Sequence, residues 1–175
     1  MTIKSSVYAL LVSVALITTT GCGMNDSSDE VPFAGASTSR DAADRAEKVS
    51  SEIYDLIGLK GRASETRPGV MGCSEKDRAK YFRVFHPWTF TPAAGGDLRG
   101  VMERLKGDLT RHGWTVVRYG PDSSRDRNLT LTADHDEKKV SVEITYNAKE
   151  DPADLSIFLV SGCYQTPDGE EVQRF

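Results

Sequence analysis

Two stretches of the chain carry apolar residues at three- and four-residue intervals, which is the spacing of one face of an α-helix. The first runs from residue 39 to 57, with acidic residues in its first turn and Gly58 as the signal that ends it. The second begins after Asp97 and ends at Gly113. The apolar positions of the first predicted helix are Ala42, Ala46, Val49, Ile53, Leu56 and Ile57. Those of the second are Leu98, Val101, Met102, Leu105 and Leu109.

Five further segments have the alternation, or the enrichment in β-branched and aromatic residues, of β-strands. They cover residues 81–85 (extending toward 90), 114–119, 129–133, 140–146 and 155–163. The last segment is apolar on both faces, which is typical of a strand in the interior of a sheet. Pro87 has no amide donor for a sheet ladder, so it favours a sheet edge for the first strand, or the end of that strand.

These elements predict one α+β domain at residues 39–175, a two-layer sandwich of two helices on a five-stranded mixed sheet. A helix joins the first predicted strand to the second, so these two are expected to be parallel, with the right-handed crossover that such connections take. Short connections join the remaining strands. The predicted sheet order is 1-5-2-3-4, which places the first strand at an edge and the fifth in the interior.

The first 21 residues have the pattern of an export signal. Lys4 precedes an apolar run at residues 7–17, and small residues lead up to Cys22. The run is shorter than the roughly 20 residues that cross a bilayer. A lone cysteine directly after such a signal indicates a bacterial lipoprotein that is cleaved before Cys22 and diacylated on it. The alternatives are a conventional secretory signal cut near Gly21 or Gly23, which gives a secreted protein, and a retained signal anchor.

Residues 22–38 are predicted to be the lipidated cysteine and a flexible tether, because they are mostly small and polar and have little periodicity. Two acyl chains hold a protein stably at a membrane without further contacts. The sequence therefore predicts a domain that is anchored at the extracytoplasmic face of the cell membrane.

Removal of the lipidated cysteine from the count leaves Cys73 and Cys163, an even number in an exported chain, which predicts a disulfide between them. The pair would close a loop of about 90 residues. A reactive thiol or a metal site is the alternative, but neither cysteine belongs to a CxxC motif or has a histidine nearby in the sequence. The bridge is natural if the first and fifth predicted strands are antiparallel neighbours.

Charge excludes one class of partner. The net charge is −4, and it becomes −5 when Lys4 leaves with the signal. Basic and acidic residues are interspersed, with no basic run. Nucleic-acid binding depends on clustered Lys and Arg, so no nucleic-acid partner is expected.

The chain has no GxSxG, HExxH, Walker or SxxK motif, so the sequence assigns no catalytic residue, no metal and no cofactor. Residues 134–137 are rich in oxygen and imidazole ligands but lack the spacing of a calcium loop, and they are interpreted as a solvated turn. His112 lies in the last turn of the second helix, where a cation favours the helix dipole.

Two groups of residues are candidates for a ligand surface. His86 and Trp88 follow the first predicted strand and line a cleft with Trp114, or else form a packed aromatic corner. Phe158 and Val160 lie on the opposite face of the sheet from Leu155, Ile157 and Leu159. If the helices cover only the latter face, Phe158 and Val160 form an exposed apolar patch that Tyr81 or Phe82, and Val117 or Tyr119, extend. The alternative is that the first helix covers this patch.

Several motifs resemble a family of uncharacterised lipoproteins from actinobacteria, over about residues 48–164. They are YFRVFHPW at residues 81–88, DLRGVMERL at 97–105, HGW at 112–114, YGPDSS at 119–124, NLTLTAD at 128–134 and VSGCY at 160–164. The resemblance implies a place in the cell envelope and supplies no activity and no catalytic residue.

Together these observations predict a lipid-anchored extracytoplasmic protein, a non-catalytic binding or accessory module for an envelope protein or a small ligand. The alternative is a small exported hydrolase that uses His86 and nearby carboxylates. A third interpretation is a structural subunit of a membrane complex.

Overall fold

A computed structural model describes residues 31–73 and 76–175. The predicted signal peptide and Cys22 lie outside the described residues. The elements along the chain are β1 (Phe33–Ala36), α1 (Ser39–Ile57), β2 (Gly61–Ala63), β3 (Gly69–Gly72), β4 (Tyr81–Pro92), α2 (Leu98–Arg111), β5 (Thr115–Pro121), β6 (Leu129–His135), β7 (Val140–Asn147), β8 (Asp154–Ser161) and β9 (Cys163–Gln165).

Both predicted helices are confirmed, together with the signals that begin and end them. The side chain of Thr38 caps α1 by accepting from the Asp41 amide, and Gly58 ends the helix in the left-handed conformation. Asp97 caps α2 by accepting from the Gly100 amide at 2.9 Å. The buried positions of α2 are the five that the spacing predicts, and of those predicted for α1 only Leu56 is partly exposed.

The predicted five-stranded sheet is wrong. All nine strands belong to one curled, mixed sheet in the order β1-β9-β4-β8-β7-β6-β5, with β2 and β3 also paired to β4. The predicted strands one to five correspond to β4, β5, β6, β7 and β8, so their observed order is 1-5-4-3-2 rather than 1-5-2-3-4. The fifth predicted segment is divided at Gly162 into β8 and β9.

The order differs because β5, β6 and β7 each pair antiparallel with the next strand along the chain. Hairpin neighbours pair locally, and the crossover through α2 then carries the chain from β4 to the far edge of the sheet. The observed order still makes β4 and β5 parallel and β8 an interior neighbour of β4. Strand direction and burial therefore fit both orders, and local pairing decides between them.

Pro87 lies neither at a sheet edge nor at a strand end, which corrects a second prediction. It is in the middle of the 12-residue β4, opposite Phe158 of β8. On its other side β4 pairs with β2 near residue 91 and with β3 near residue 84, and the intervening connection is not a strand. The Pro87 carbonyl accepts from the Thr66 hydroxyl of that connection. The missing amide donor thus faces a gap in the ladder.

Three short strands, β1, β2 and β3, were not predicted from the sequence. The segment Phe33–Ala36, within the predicted tether, is β1 and pairs in parallel with β9, so a tether ends before it. The strands β2 and β3 each begin with glycine, and the ring of Phe85 lies where a side chain at Gly69 would be, 2.5 Å from the ideal Cβ position. Strands of three or four residues are too short to show alternation.

Both helices lie on one face of the sheet. The first helix packs on β4, β8 and β3, and the second on β5, β6 and β7, around a common apolar core. The other face is left open. The predicted Cys73–Cys163 disulfide is confirmed, with the Cα atoms 5.9 Å apart. None of the helices in the described part of the chain is long and apolar enough to cross a membrane.

Candidate functional site

A cleft of about 380 Å³ lies between the C-terminal half of α1, the connection from β2 to β3 and the centre of β4. We call it the α1 cleft. Volumes of this size are within the range of small-ligand sites. Its lining comprises Glu47, Ser50, Ser51, Tyr54 and Asp55 of α1, Ala63, Ser64 and Thr66 of β2 and the connection, and His86 and Trp88 of β4.

The alternation of β4 places His86 and Trp88 in the cleft. Both side chains point toward the helices, as do Phe82, Val84 and Phe90, and they are 7% and 6% exposed. The structure therefore brings together these two residues of the predicted site.

His86 joins all three walls of the cleft. Its Nδ1 is 2.9 Å from the Ser50 hydroxyl of α1, and its Nε2 is 3.2 Å from the Thr66 carbonyl oxygen. A carbonyl oxygen only accepts, so Nε2 carries a proton and donates it. In the neutral ring Nδ1 is then the acceptor, and Ser50 donates to it. Both ring nitrogens are paired, which is the condition for burial of a polar ring at low cost.

Trp88, which lines the cleft, carries an unpaired donor. Its Nε1–H is buried and has no acceptor among the described residues. It is the one buried side-chain nitrogen or oxygen atom in this part of the chain that lacks a partner. Buried indole N–H groups are usually hydrogen-bonded, because loss of the water partner is otherwise uncompensated. The described residues therefore leave this donor without an acceptor.

The rim of the cleft combines an aromatic ring with two carboxylates. Tyr54 is 36% exposed, and its ring packs against Trp88 at 6.3 Å and against Phe90 at 5.8 Å between centroids. Glu47 and Asp55 are exposed, and the lining includes no lysine or arginine. The rim is acidic and includes a partly exposed aromatic residue.

Ser50 and His86 are also the residue types that form a nucleophile and its general base in many enzymes. A serine hydroxyl that donates to a neutral imidazole, whose other nitrogen is held by a third group, is the general form of an activated serine. Ser50, however, lies in the middle of α1 and is 5% exposed. The geometry thus permits proton transfer from Ser50 to His86, while burial restricts the approach of a substrate to the Ser50 oxygen.

Trp114 is not part of the α1 cleft. It is 4% exposed and packs edge-to-face on His135, with the ring centroids 5.2 Å apart. His112 is the C-terminal cap of α2, where its Nδ1 lies 2.7 Å from the Asp108 carbonyl oxygen. These side chains belong to the packing around α2 and the turn that follows it.

Phe158 and Val160 lie on the open face, so the sheet separates them from His86 and Trp88. Phe158 is 41% exposed and stacks on Phe85 with a centroid distance of 6.2 Å. Phe82, which was a candidate to extend this patch, is fully buried on the helix face. The patch is surrounded by hydroxyl-bearing and acidic side chains: Thr89, Thr145, Ser156 and Glu143.

Sequence reasoning missed Ser50, Tyr54 and Thr66 as members of the site. The position of Ser50 in the sequence could have identified it, because it stands four residues after Ala46 and three before Ile53, on the buried stripe of α1. A polar residue at such a position requires a buried partner. Thr66 could not have been identified in this way, because it contacts His86 through its backbone carbonyl oxygen, which every residue type has.

Within residues 31–73 and 76–175, no three His, Cys, Asp or Glu side chains are grouped so as to hold a metal ion. Comparison with protein-family models, with curated proteins and with solved structures found no match to the chain.

Proposed function

We propose that this chain is a non-catalytic binding protein of the cell envelope, anchored by lipid on Cys22, and that the α1 cleft is its ligand site. The observation that carries the binding role is the unpaired, buried Nε1–H of Trp88, a residue that lines a concave site. A ligand that accepts from this group removes the cost of its desolvation. The site is built from rigid elements, α1 and β4, which hold it in place before a ligand arrives.

Three features support the location. The export signal and Cys22 have the order that lipid attachment requires. The Cys73–Cys163 bridge is suited to an oxidising compartment outside the cytoplasm. The motifs that resemble those of actinobacterial lipoproteins favour the same compartment.

The anchor is tested by substitution of Cys22. The variant Cys22→Ala should lose its lipid and move from the membrane fraction to the medium or the soluble envelope fraction. The exchange Ser28→Ala in the predicted tether is the control, and it should leave the wild-type distribution unchanged. Retention of Cys22→Ala in the membrane would overturn the anchor.

The ligand site is tested by nuclear magnetic resonance on the mature, lipidated protein in a sugar-free detergent. The chain has two tryptophans, so two indole N–H signals are expected. With a panel of small fragments, compounds that bind should shift the Trp88 indole signal in a saturable way and leave the Trp114 signal in place. If no compound in the panel shifts the Trp88 signal, the proposed site is wrong.

The alternative of an exported hydrolase is favoured by one observation, the Ser50–His86 hydrogen bond. A fluorophosphonate probe distinguishes the two functions, because it labels activated serines covalently. Under the proposed function the intact mass remains unchanged after exposure to the probe. Stoichiometric labelling of Ser50 that disappears in His86→Gln would establish the hydrolase and exclude a non-catalytic role.

A further inference from the structure

We infer that the α1 cleft takes a neutral saccharide of one or two rings, an inference that rests on the proposed function of this cleft. Its walls select a class of ligand by charge, by hydrogen bonding and by shape, and each criterion uses a different set of side chains.

The charge of the lining disfavours anions. Glu47 and Asp55 supply two carboxylates, and the lining residues include no lysine or arginine to offset them. Both nitrogens of His86 are engaged within the protein. An acidic ligand therefore meets like charges and finds no cationic partner, so a neutral or cationic ligand is favoured.

Hydrogen bonding then favours hydroxyl groups over ammonium groups. The lining residues carry both an unpaired donor, the buried Trp88 Nε1–H, and strong acceptors, the carboxylates of Glu47 and Asp55. A ligand hydroxyl donates one hydrogen bond and accepts others, whereas an ammonium group only donates. A simple amine would satisfy the carboxylates and leave the indole donor unpaired. A polyhydroxylated ligand pairs with both kinds of group.

The shape of the rim fits a ring with an apolar face. The Tyr54 ring is supported by contacts with Trp88 and Phe90, so it has a fixed orientation, and about a third of its surface is open. Aromatic faces carry partial negative charge and attract polarised C–H groups. A pyranose presents such C–H groups on its faces and hydroxyl groups around its edge. In the inferred complex the ring covers Tyr54, and its hydroxyls pair with the carboxylates and with the indole N–H, which must become accessible for this contact.

The test uses three sugars that share one ring and differ in charge: glucose, glucosamine and glucuronate. The panel also includes N-acetylglucosamine, galactose, arabinose and maltose as neutral saccharides, and tetramethylammonium as a cation without hydroxyls. Each is titrated into the mature, lipidated protein in a sugar-free detergent, and binding is measured by the Trp88 indole signal and by calorimetry. We expect saturable binding of at least one neutral saccharide, and at least tenfold weaker binding of glucuronate than of glucose.

Two variants connect binding to the site. Trp88→Phe keeps a ring and removes the N–H, and it should weaken calorimetric saccharide binding about fivefold, the equivalent of one neutral hydrogen bond. Tyr54→Leu removes the aromatic platform at a partly exposed position and should also weaken it. Phe158→Ser on the open face is the matched control and should bind as the wild type does.

The outcomes separate the ligand class from the cleft itself. If tetramethylammonium or glucuronate shifts the Trp88 signal and no neutral saccharide does, the inference of a saccharide ligand is overturned. The cleft is then still supported as the ligand site. No shift with any compound, in this panel or in the fragment panel, overturns both. Saccharide binding that Phe158→Ser abolishes and Trp88→Phe leaves intact would move the site to the open face and refute the inference.

Discussion

His86, Pro87 and Trp88 are consecutive residues whose functions differ because a strand directs alternate side chains to opposite faces. The two outer members reach the α1 cleft, and Pro87 lies on the open face with its nitrogen toward a gap in the ladder. A single tripeptide thus supplies the buried donor of the cleft, the imidazole that joins its walls, and the break in pairing that lets Thr66 approach. At this scale, the neighbours of a residue in the fold decide its role more than its type does.

The hydrogen bond between Ser50 and His86 should contribute measurably to stability. Ser50→Ala leaves the buried Nδ1 of His86 without its donor, and we expect a loss of about 1–3 kcal/mol in the free energy of unfolding. Urea denaturation measures it. Ser51→Ala is the matched control: Ser51 is exposed and bonds only to the Glu47 carbonyl of its own helix, so a change within about 0.5 kcal/mol is expected. Equal effects of the two substitutions would contradict the buried network.

At the scale of elements, the strand β1 depends on Gly162, the glycine directly before its neighbour β9. The ideal Cβ position of Gly162 is 2.4 Å from the Pro32 carbonyl oxygen, and that oxygen accepts from the Cys163 amide at 2.8 Å. A side chain at residue 162 therefore cannot coexist with the pairing of β1 and β9 as it stands. The Pro32 carbonyl belongs to the backbone, which moves away from an added methyl group less easily than the end of a flexible side chain does.

Gly162→Ala should therefore displace β1 and lower the free energy of unfolding by about 1–3 kcal/mol. It should also increase hydrogen exchange at the Ser37 amide, which donates to the Gln165 carbonyl. Gly107→Ala in α2 is the control. The nearest atom to its new Cβ is Arg111 Nη1 at 3.4 Å, and alanine should stabilise the helix by about 0.5–1 kcal/mol. Unchanged exchange at Ser37 in Gly162→Ala would show that β1 tolerates the added methyl group.

The elements that sequence reasoning found are those long enough to show a period. The helices have four to five turns, and their apolar positions coincide with the buried ones, as Met102 and Leu105 illustrate. β1, β2, β3 and β9 have three or four residues, and no pattern of that length is distinctive. The predicted sheet order was wrong for another reason: two orders satisfied the same constraints of strand direction and burial. The cleft was only half predictable, since His86 and Trp88 are adjacent in β4, whereas Ser50 and Thr66 reach them through tertiary structure.

At the scale of the whole molecule, the disulfide joins the segment after β3 to the start of β9 across 90 residues of sequence. These residues include β4 to β8 and α2, which form most of the sheet and one of its two covering helices. The bridge therefore constrains the part of the chain that makes the longest-range pairings.

Removal of the bridge should destabilise the domain strongly. In the chain-entropy description, a loop of this length accounts for about 4–5 kcal/mol. The double variant Cys73→Ala/Cys163→Ala should lose a large part of this stability in urea denaturation, relative to the oxidised wild type. Alkylation of the unfolded, unreduced wild type should add no mass at either cysteine. A double variant within about 1 kcal/mol of the wild type, or alkylation of both thiols, would contradict the bridge as a stabilising element.

The position of β1 has a mechanical consequence for a chain that is attached at Cys22. Tension from the membrane side enters the domain at β1, whose partner β9 starts at a covalent crosslink and so cannot be pulled away with it. The four-residue strand β1 is then the first part of the described structure to bear the load, ahead of the α1 residues that line the cleft, Glu47, Tyr54 and Asp55. In a protein anchored at Cys22, β1 would thus keep mechanical load away from the proposed ligand site.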